Sequence, residues 1–247
     1  GEKGSRLEKN KKTPEVLKTA LNILYPRRCP VCHRILRDQK NLICPECEGV
    51  FQPITEDYCL KCGSPVKPEE EYCRECAGRR RSFDEGRGVF LYDQKMKKSL
   101  IRYKYYGCRE YADYYALSMY RYGRRNILRW KPDVIIPVPL HRRKLRMRGF
   151  NQAGFLAERL GMLLDIPVSV SALRKIRGTR SQKKLDAAER RKNLRQAFQA
   201  ERRLDGLTVL LVDDVYTTGS TVESAAACLK EAGAEKVCFL TLCMGRI

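Results

Sequence analysis

The sequence predicts an α/β fold: a doubly wound parallel sheet preceded by a small cysteine-rich module. Three observations carry that expectation. From about residue 88 onward, apolar strand-like runs alternate with stretches of helical periodicity, the pattern of a parallel sheet covered on both faces. Between Cys29 and Cys76 lie four C-x-x-C pairs, CPVC, CPEC, CLKC and CREC, separated by 11, 11 and 10 residues. The most apolar run, LTVLLV at 207–212, leads straight into Asp213-Asp214 and then Tyr-Thr-Thr-Gly-Ser-Thr.

Residues 1–12 are polar and lysine-rich; with nothing to bury they are expected to be disordered. Thr13-Pro14 offers an N-cap with proline in the first turn, and Leu17, Ala20, Leu21 and Leu24 follow at helical spacing. The cysteine-rich segment comes next and ends at a basic boundary, RRRSF, near residue 82. The expected division is therefore a tail at 1–12, a helix and cysteine module at 13–82, and the α/β domain at 83–247.

Within that domain GVFLY (88–92) reads as a strand, and residues 96–122 as helix interrupted near Gly107. DVIIPVPL (133–140) is a strand entering a proline-rich turn. Ala153, Leu156, Ala157 and Leu160 line a helix expected to end at Gly161, and 167–170 reads as a short strand. LTVLLV is apolar throughout, as the inside of a parallel sheet requires. Val222, Ala225, Ala226 and Leu229 form one face of the next helix, which stops at Gly233, and KVCFLTLC (236–243) is the final strand.

Lys and Arg outnumber Asp and Glu by 50 to 29, a net charge of +21. Such a charge favours encounter with polyanions or phosphate-bearing ligands; the plainer reading is a well-solvated basic surface. No apolar run approaches the roughly 18 residues of a membrane span, and no secretory leader is visible, so the expected location is the cytoplasm. In a reducing compartment twelve cysteines are not expected to form disulfides.

Four thiolates in a tetrahedron suit zinc, and two C-x-x-C pairs complete one site. Cys29, Cys32, Cys44, Cys47, Cys59, Cys62, Cys73 and Cys76 would thus hold two structural ions. Their binding energy would replace the core that this segment lacks. Sequential ribbons and a cross-brace are both compatible with the spacing. Only Cys62 is followed by glycine; His33, Glu48 and Ala77 follow the other pairs. CPVCH also spells a c-type haem attachment signal, which three further pairs and the absence of a leader argue against. A redox role would require accessible, low-pKa thiols. Cys108, Cys228, Cys238 and Cys243 sit singly among apolar residues, as core packing would place them.

In an open α/β sheet, ligands gather at the carboxyl ends of the strands. Asp213 and Asp214 lie at such an end, and the following turn opens a helix whose free N–H groups and dipole suit a phosphate. Two carboxylates beside a phosphate need another part of the ligand to face, such as neutral sugar hydroxyls or a magnesium ion held through water. A ribose 5-phosphate satisfies both halves.

VLLVDDVYTTGST (209–221) closely resembles the phosphoribosyl pyrophosphate (PRPP) motif of type I phosphoribosyltransferases. That resemblance implies that Asp213 and Asp214 bind the ribose hydroxyls and that Thr217, Thr218, Gly219, Ser220 and Thr221 wrap the 5′-phosphate. PVPLHRRKLRMRGFNQA (137–153), TRSQKKLDAAERRKNLRQAF (179–198) and the cysteine-rich N-terminus together resemble the ComF family, of which GntX is a relative. The resemblance implies a type I phosphoribosyltransferase-like fold behind a double zinc ribbon, PRPP with magnesium as ligand, and service in DNA uptake with its partner proteins. The enzyme class it implies is a phosphoribosyltransferase acting on an unidentified acceptor. The alternative is a non-catalytic factor associated with single-stranded DNA that keeps the PRPP site as a sensor or vestige. Pro137, Val138, Pro139 and Leu140 match the loop that faces pyrophosphate. Because Pro137 and Pro139 have no N–H to donate, pyrophosphate would rely on Arg142, Arg143, Arg146 and Arg148. Residues 172–203 hold twelve Lys or Arg against three acids, readable as a closing loop or as a solvated helix.

RYKYYGCREYADYYALSMYRY (102–122) holds eight tyrosines among basic residues. Such a stretch can stack single-stranded nucleic acid, but DYYALSMY also fits a helix face packed on the sheet, and the helical reading is preferred. Lys104-Tyr105-Tyr106-Gly107 resembles a ComF segment, and that resemblance implies a role at the ligand cleft.

Overall fold

Four strands carry most of the apolar residues, and the computed structural model pairs them in parallel. It describes residues 25–176 and 197–245. The tail expected at 1–12, the helix beginning at Thr13 and the 177–196 portion of the basic stretch lie outside those residues. β1 (Glu85–Leu91), β2 (Val134–Pro137), β5 (Thr208–Tyr216) and β6 (Lys236–Met244) form a sheet in the order β1-β6-β5-β2. β5 and β6 are buried along nearly their whole length, which explains their continuous rather than alternating hydrophobicity.

Helices α1 (Gln94–Tyr105), α2 (Tyr111–Trp130) and α4 (Gln152–Leu164) cover one face. Met96, Leu100 and Tyr103 of α1 and Tyr111, Tyr115 and Met119 of α2 are fully buried there. The tyrosine-rich stretch is thus chiefly a pair of packed helices, broken at 106–110 as expected, with α2 running on to Trp130. Helix α5 (Ser220–Glu231) packs on the other face together with a two-stranded antiparallel hairpin, β3 (Leu173–Lys175) with β4 (Phe198–Ala200). A short basic helix, α3 (Arg142–Arg148), follows β2.

Three sequence expectations need correction. α4 does not end at Gly161 but continues to Leu164 and closes on Asp165 in the left-handed region. Gly161 is instead a contact point: a Cβ there would lie 2.4 Å from Val168 Cγ2. Residues 167–170 form no full strand; only Val168 bridges Ile135, in parallel. β5 extends past residue 212 to Tyr216, so the acid pair lies inside the strand's last turns of ladder, and Asp213 still pairs with Thr241 of β6.

The eight cysteines fold as two consecutive ribbons that repeat one another. Cys29 N–H donates to the Arg34 carbonyl and His33 N–H to the Cys29 carbonyl, at 2.9 Å each. Cys59 with Ser64, and Gly63 with Cys59, make the same bonds at 2.7 and 2.8 Å. Gly63 takes φ +74° and His33 φ +67°. A non-glycine residue at that φ is strained, and the His33 ring is held by Tyr111, whose hydroxyl lies 2.6 Å from Nδ1. The chain between the ribbons then covers the sheet edge. Ile54 N–H donates to the Val89 carbonyl (2.8 Å), Leu91 N–H to the Gln52 carbonyl (2.9 Å), and Pro53 bridges Phe90 in antiparallel fashion. An open edge of β1 is thereby closed to other chains. Among the described residues no helix is long and apolar enough to cross a membrane.

Candidate functional site

Asp213 and Asp214 stand at the carboxyl end of β5, and the next residues lead directly into α5. Asp214 N–H donates to Asp213 Oδ1 at 2.8 Å, which holds the first carboxylate against the backbone of the next residue. Asp214 is 9% exposed and its carboxylate is paired with Lys104 Nζ at 2.9 Å. Burial opposes the charge on Lys104, but Asp214, with Asp213 behind it, holds the ammonium pKa above its ordinary value. Burial and the Asp214 charge push the Asp213 carboxyl up to about 7, against the pull of Lys104 and Lys175. Cys243 Sγ donates to the Asp214 carbonyl at 3.4 Å, fixing the strand from below.

The turn after β5 leaves the start of α5 uncapped. Gly219 is the N-cap of α5 at φ +73° and supplies no capping oxygen. The helix's first N–H groups therefore lack a side-chain acceptor, the arrangement that suits phosphate. Only glycine fits: a Cβ at 219 would lie 2.3 Å from the Tyr216 hydroxyl. Thr217 and Thr218 are exposed, and Thr218 Oγ1 donates to Ser220 Oγ at 3.1 Å. The helix starts at Ser220, two residues before the expected Val222, so Ser220 and Thr221 belong to its first turn.

The residues assigned to the pyrophosphate side do not all converge. Val138 N–H donates to the Val212 carbonyl at 2.8 Å, and Asn151 Nδ2 donates to the Val138 carbonyl at 3.2 Å, so the turn after Pro137 is pinned between β5 and α4. Pro139, Leu140 and Arg142 line a cleft of about 470 Å³ whose opposite wall is Val170–Lys175 with Glu201 and Arg202. The four arginines lie on α3. Arg148 turns away toward α1, donating to the Tyr105 hydroxyl (2.7 Å) and Gln152 Oε1 (2.9 Å) with its guanidinium 4.7 Å from the Tyr105 ring centroid. Arg143 and Arg146 are exposed; no side-chain contact brings them to the acid pair among the described residues. The helical repeat of RRKLRMR keeps Arg142, Arg143 and Arg146 on one face and carries Arg148 to the other.

The Lys104–Gly107 segment was expected near the cleft without a named partner, and the fold supplies one for Lys104 in Asp214; Lys175 and Asn151 were not singled out from sequence. Lys175, on β3, has its pKa lowered by burial and by Lys144 despite the attraction of Asp213; only the fold brings it there. Asn151 tethers the Val138 turn from the N-cap of α4. A capping asparagine carries no sign of that second bond.

Each cysteine cluster has the donor set of a structural zinc site. The four sulfurs of Cys29, Cys32, Cys44 and Cys47 lie within 4.8 Å of one another, as do those of Cys59, Cys62, Cys73 and Cys76. The pairing is sequential and not cross-braced. In the second cluster hydrogen bonds from Cys62 and Cys76 hold the Cys59 thiol well below its usual range, while Cys76 is driven far above it. Such crowding disfavours four free thiols, and a soft divalent ion relieves it by displacing protons. All twelve cysteines are free, and Cys108, Cys228, Cys238 and Cys243 are buried as expected for core residues.

Comparison with known proteins covers both parts of the chain. Residues 20–77 match a double zinc ribbon domain and residues 119–247 a phosphoribosyl transferase domain. Competence protein F of Haemophilus influenzae is 31% identical over 85% of this chain and 93% of its own length. Competence protein ComFC of Bacillus subtilis is 32% identical over 77% of this chain and 79% of its own. DNA utilization protein YhgH of Escherichia coli O157:H7 is 34% identical over 87% and 89%.

Proposed function

This chain belongs to the ComF family, a double zinc ribbon followed by a phosphoribosyltransferase-like domain, and from that premise we propose that it binds PRPP with magnesium and serves DNA uptake or utilisation in the cytoplasm. The observation that carries the ligand is the juncture at 213–221: a paired carboxylate site one turn from an uncapped helix start. Asp213 and Asp214 accept hydrogen bonds from the ribose 2′ and 3′ hydroxyls. Asp214 exchanges its Lys104 contact for a hydroxyl and leaves the ammonium free to face a leaving phosphate. Thr217, Thr218, Ser220 and Thr221 donate hydroxyl and backbone hydrogen bonds to the 5′-phosphate across Gly219.

The oxygen donors of the acid pair are of the hard kind that magnesium takes; bound with the ligand, the ion would supply positive charge to the pyrophosphate. Arg142 and Lys175 face the same side. If the ligand turns over, they stabilise departing pyrophosphate as charge develops on it, while the acids keep the sugar aligned. The modules we assign are 13–82 and 83–247, behind a tail at 1–12. The test is thermal: PRPP with magnesium raises the Tm of the native protein by mass action and leaves Asp213→Ala/Asp214→Ala unmoved. Pyrophosphate release on adding an acceptor then separates a transferase from a binding protein.

A second reading, a factor that holds single-stranded DNA, is favoured by Tyr105 and Tyr106, 53% and 73% exposed beside the cations of α3. Stacking on those rings would show as loss of single-strand affinity in Tyr105→Ala/Tyr106→Ala.

A further inference from the structure

The second cysteine cluster is built into the underside of the 217–221 turn, whereas the first is not. Cys59, Cys62, Cys73 and Cys76 belong to the same buried cluster as Tyr216, Val222, Phe83 and Phe239. Cys29 and Cys47 pack with Leu36 in a small cluster of their own. The Tyr216 ring stacks on Phe239 at 5.1 Å and 6°, and Phe83 meets the same ring edge-on at 4.9 Å. The Tyr216 hydroxyl presses against Gly219, the residue that shapes the turn.

A polar chain runs from the ribbon to the first turn of α5. Ser82 N–H and Oγ both donate to Glu223 Oε1, at 2.9 and 2.7 Å, and Glu223 N–H donates to the Gly219 carbonyl at 2.8 Å. Arg81, whose side chain is 7% exposed, donates from Nη2 to the Glu75 carbonyl inside the second ribbon at 3.0 Å. Tyr216, Cys76 and Glu223 face its guanidinium. Arg81 Nε, the Tyr216 hydroxyl and Glu223 Oε2 are all buried without a hydrogen-bond partner among the described residues. Buried polar groups left in that condition are costly, so this contact is poised to rearrange when either neighbour changes.

We propose that Arg81 and Glu223 are positioning residues that couple the second cysteine cluster to the phosphate turn, so that metal at Cys59, Cys62, Cys73 and Cys76 and ligand at 217–221 stabilise one another. The inference rests on the PRPP reading of that turn. Coupling between two sites is reciprocal: PRPP must tighten the second cluster as much as the second cluster's metal tightens PRPP. The first cluster, outside this contact, is uncoupled.

The experiment uses the full chain loaded with two equivalents of zinc. Alkylation of each cysteine by N-ethylmaleimide is followed by mass spectrometry with and without PRPP and magnesium, beside a calorimetric measure of PRPP binding. The expected result is about tenfold slower labelling of Cys59, Cys62, Cys73 and Cys76, within the usual range of coupling, with Cys29, Cys32, Cys44 and Cys47 unchanged. Arg81→Ala and Glu223→Ala, verified to retain both zinc ions, bind PRPP about tenfold more weakly and lose the protection, and Arg81→Lys restores part of it. PRPP binding without protection, or with equal protection of both clusters, overturns the coupling alone. No PRPP binding to the zinc-loaded native chain overturns the reading of the turn as well.

Discussion

Burial and the neighbouring Asp214 charge push the Asp213 carboxyl up to about 7, and the sign of that shift has two consequences. The folded carboxyl holds its proton more tightly than the unfolded one, whose pKa is about 3.9. Ionising it therefore penalises the folded state: the penalty is absent below about pH 4, grows with pH, and is complete above about 7. Asp213→Asn keeps the acceptor for Asp214 N–H and removes the charge. It is expected to raise Tm at pH 8 and leave it unchanged near pH 4. PRPP affinity moves the other way. It should rise through pH 7 in the native protein as the acceptor carboxylate forms, and stay low and flat in Asp213→Asn. Lys104 and Asp214 form a largely buried pair, so Lys104→Met leaves an unpaired carboxylate. It should cost about 2 kcal/mol in urea titration, less than breaking a fully buried pair, and adding Asp214→Asn should recover most of that loss.

The β5–α5 juncture is where local sequence and fold agree most fully. An apolar strand, an acid pair and a glycine at the helix start can be read in order along the chain, because each is dictated by neighbours in sequence. Gly219→Ala breaks two of those requirements at once, the positive φ and the contact with Tyr216. It is expected to cost about 1–3 kcal/mol and to reduce PRPP affinity more than stability, as parallel denaturation and binding measurements would show. The arginines after Pro139 are placed by helix geometry that motif matching does not carry: residues 142–148 wind into α3, which keeps Arg142 at the cleft and turns Arg148 to Tyr105. The β3–β4 hairpin was missed because its strands are three residues each and 22 residues separate them. Lys175 reaches the cleft through that long-range pairing alone. Likewise the ribbon spacing revealed two metal sites but not their pairing, which the clustering of the sulfurs of consecutive pairs settles.

Taken whole, the molecule is one sheet serving two attachments of unequal depth. The second ribbon shares the sheet's core, while the first has a small core of its own and leans on α2 through His33 and Tyr111. Chelation is therefore expected in two steps. Zinc from the first cluster should leave with little change in the Tm of the sheet, and zinc from the second should lower it, both followed by zinc release during calorimetric unfolding. The net charge of +21 predicts that single-stranded DNA binding, if present, weakens steeply with salt. The central claim is the ribose-phosphate site, and the most direct measurement is calorimetric titration of PRPP with magnesium into the zinc-loaded protein and into Asp213→Asn/Asp214→Asn. Saturable heat from the native chain and none from a folded double variant is the predicted result. Equal heat from both, or none from a folded, zinc-loaded native chain, would contradict it.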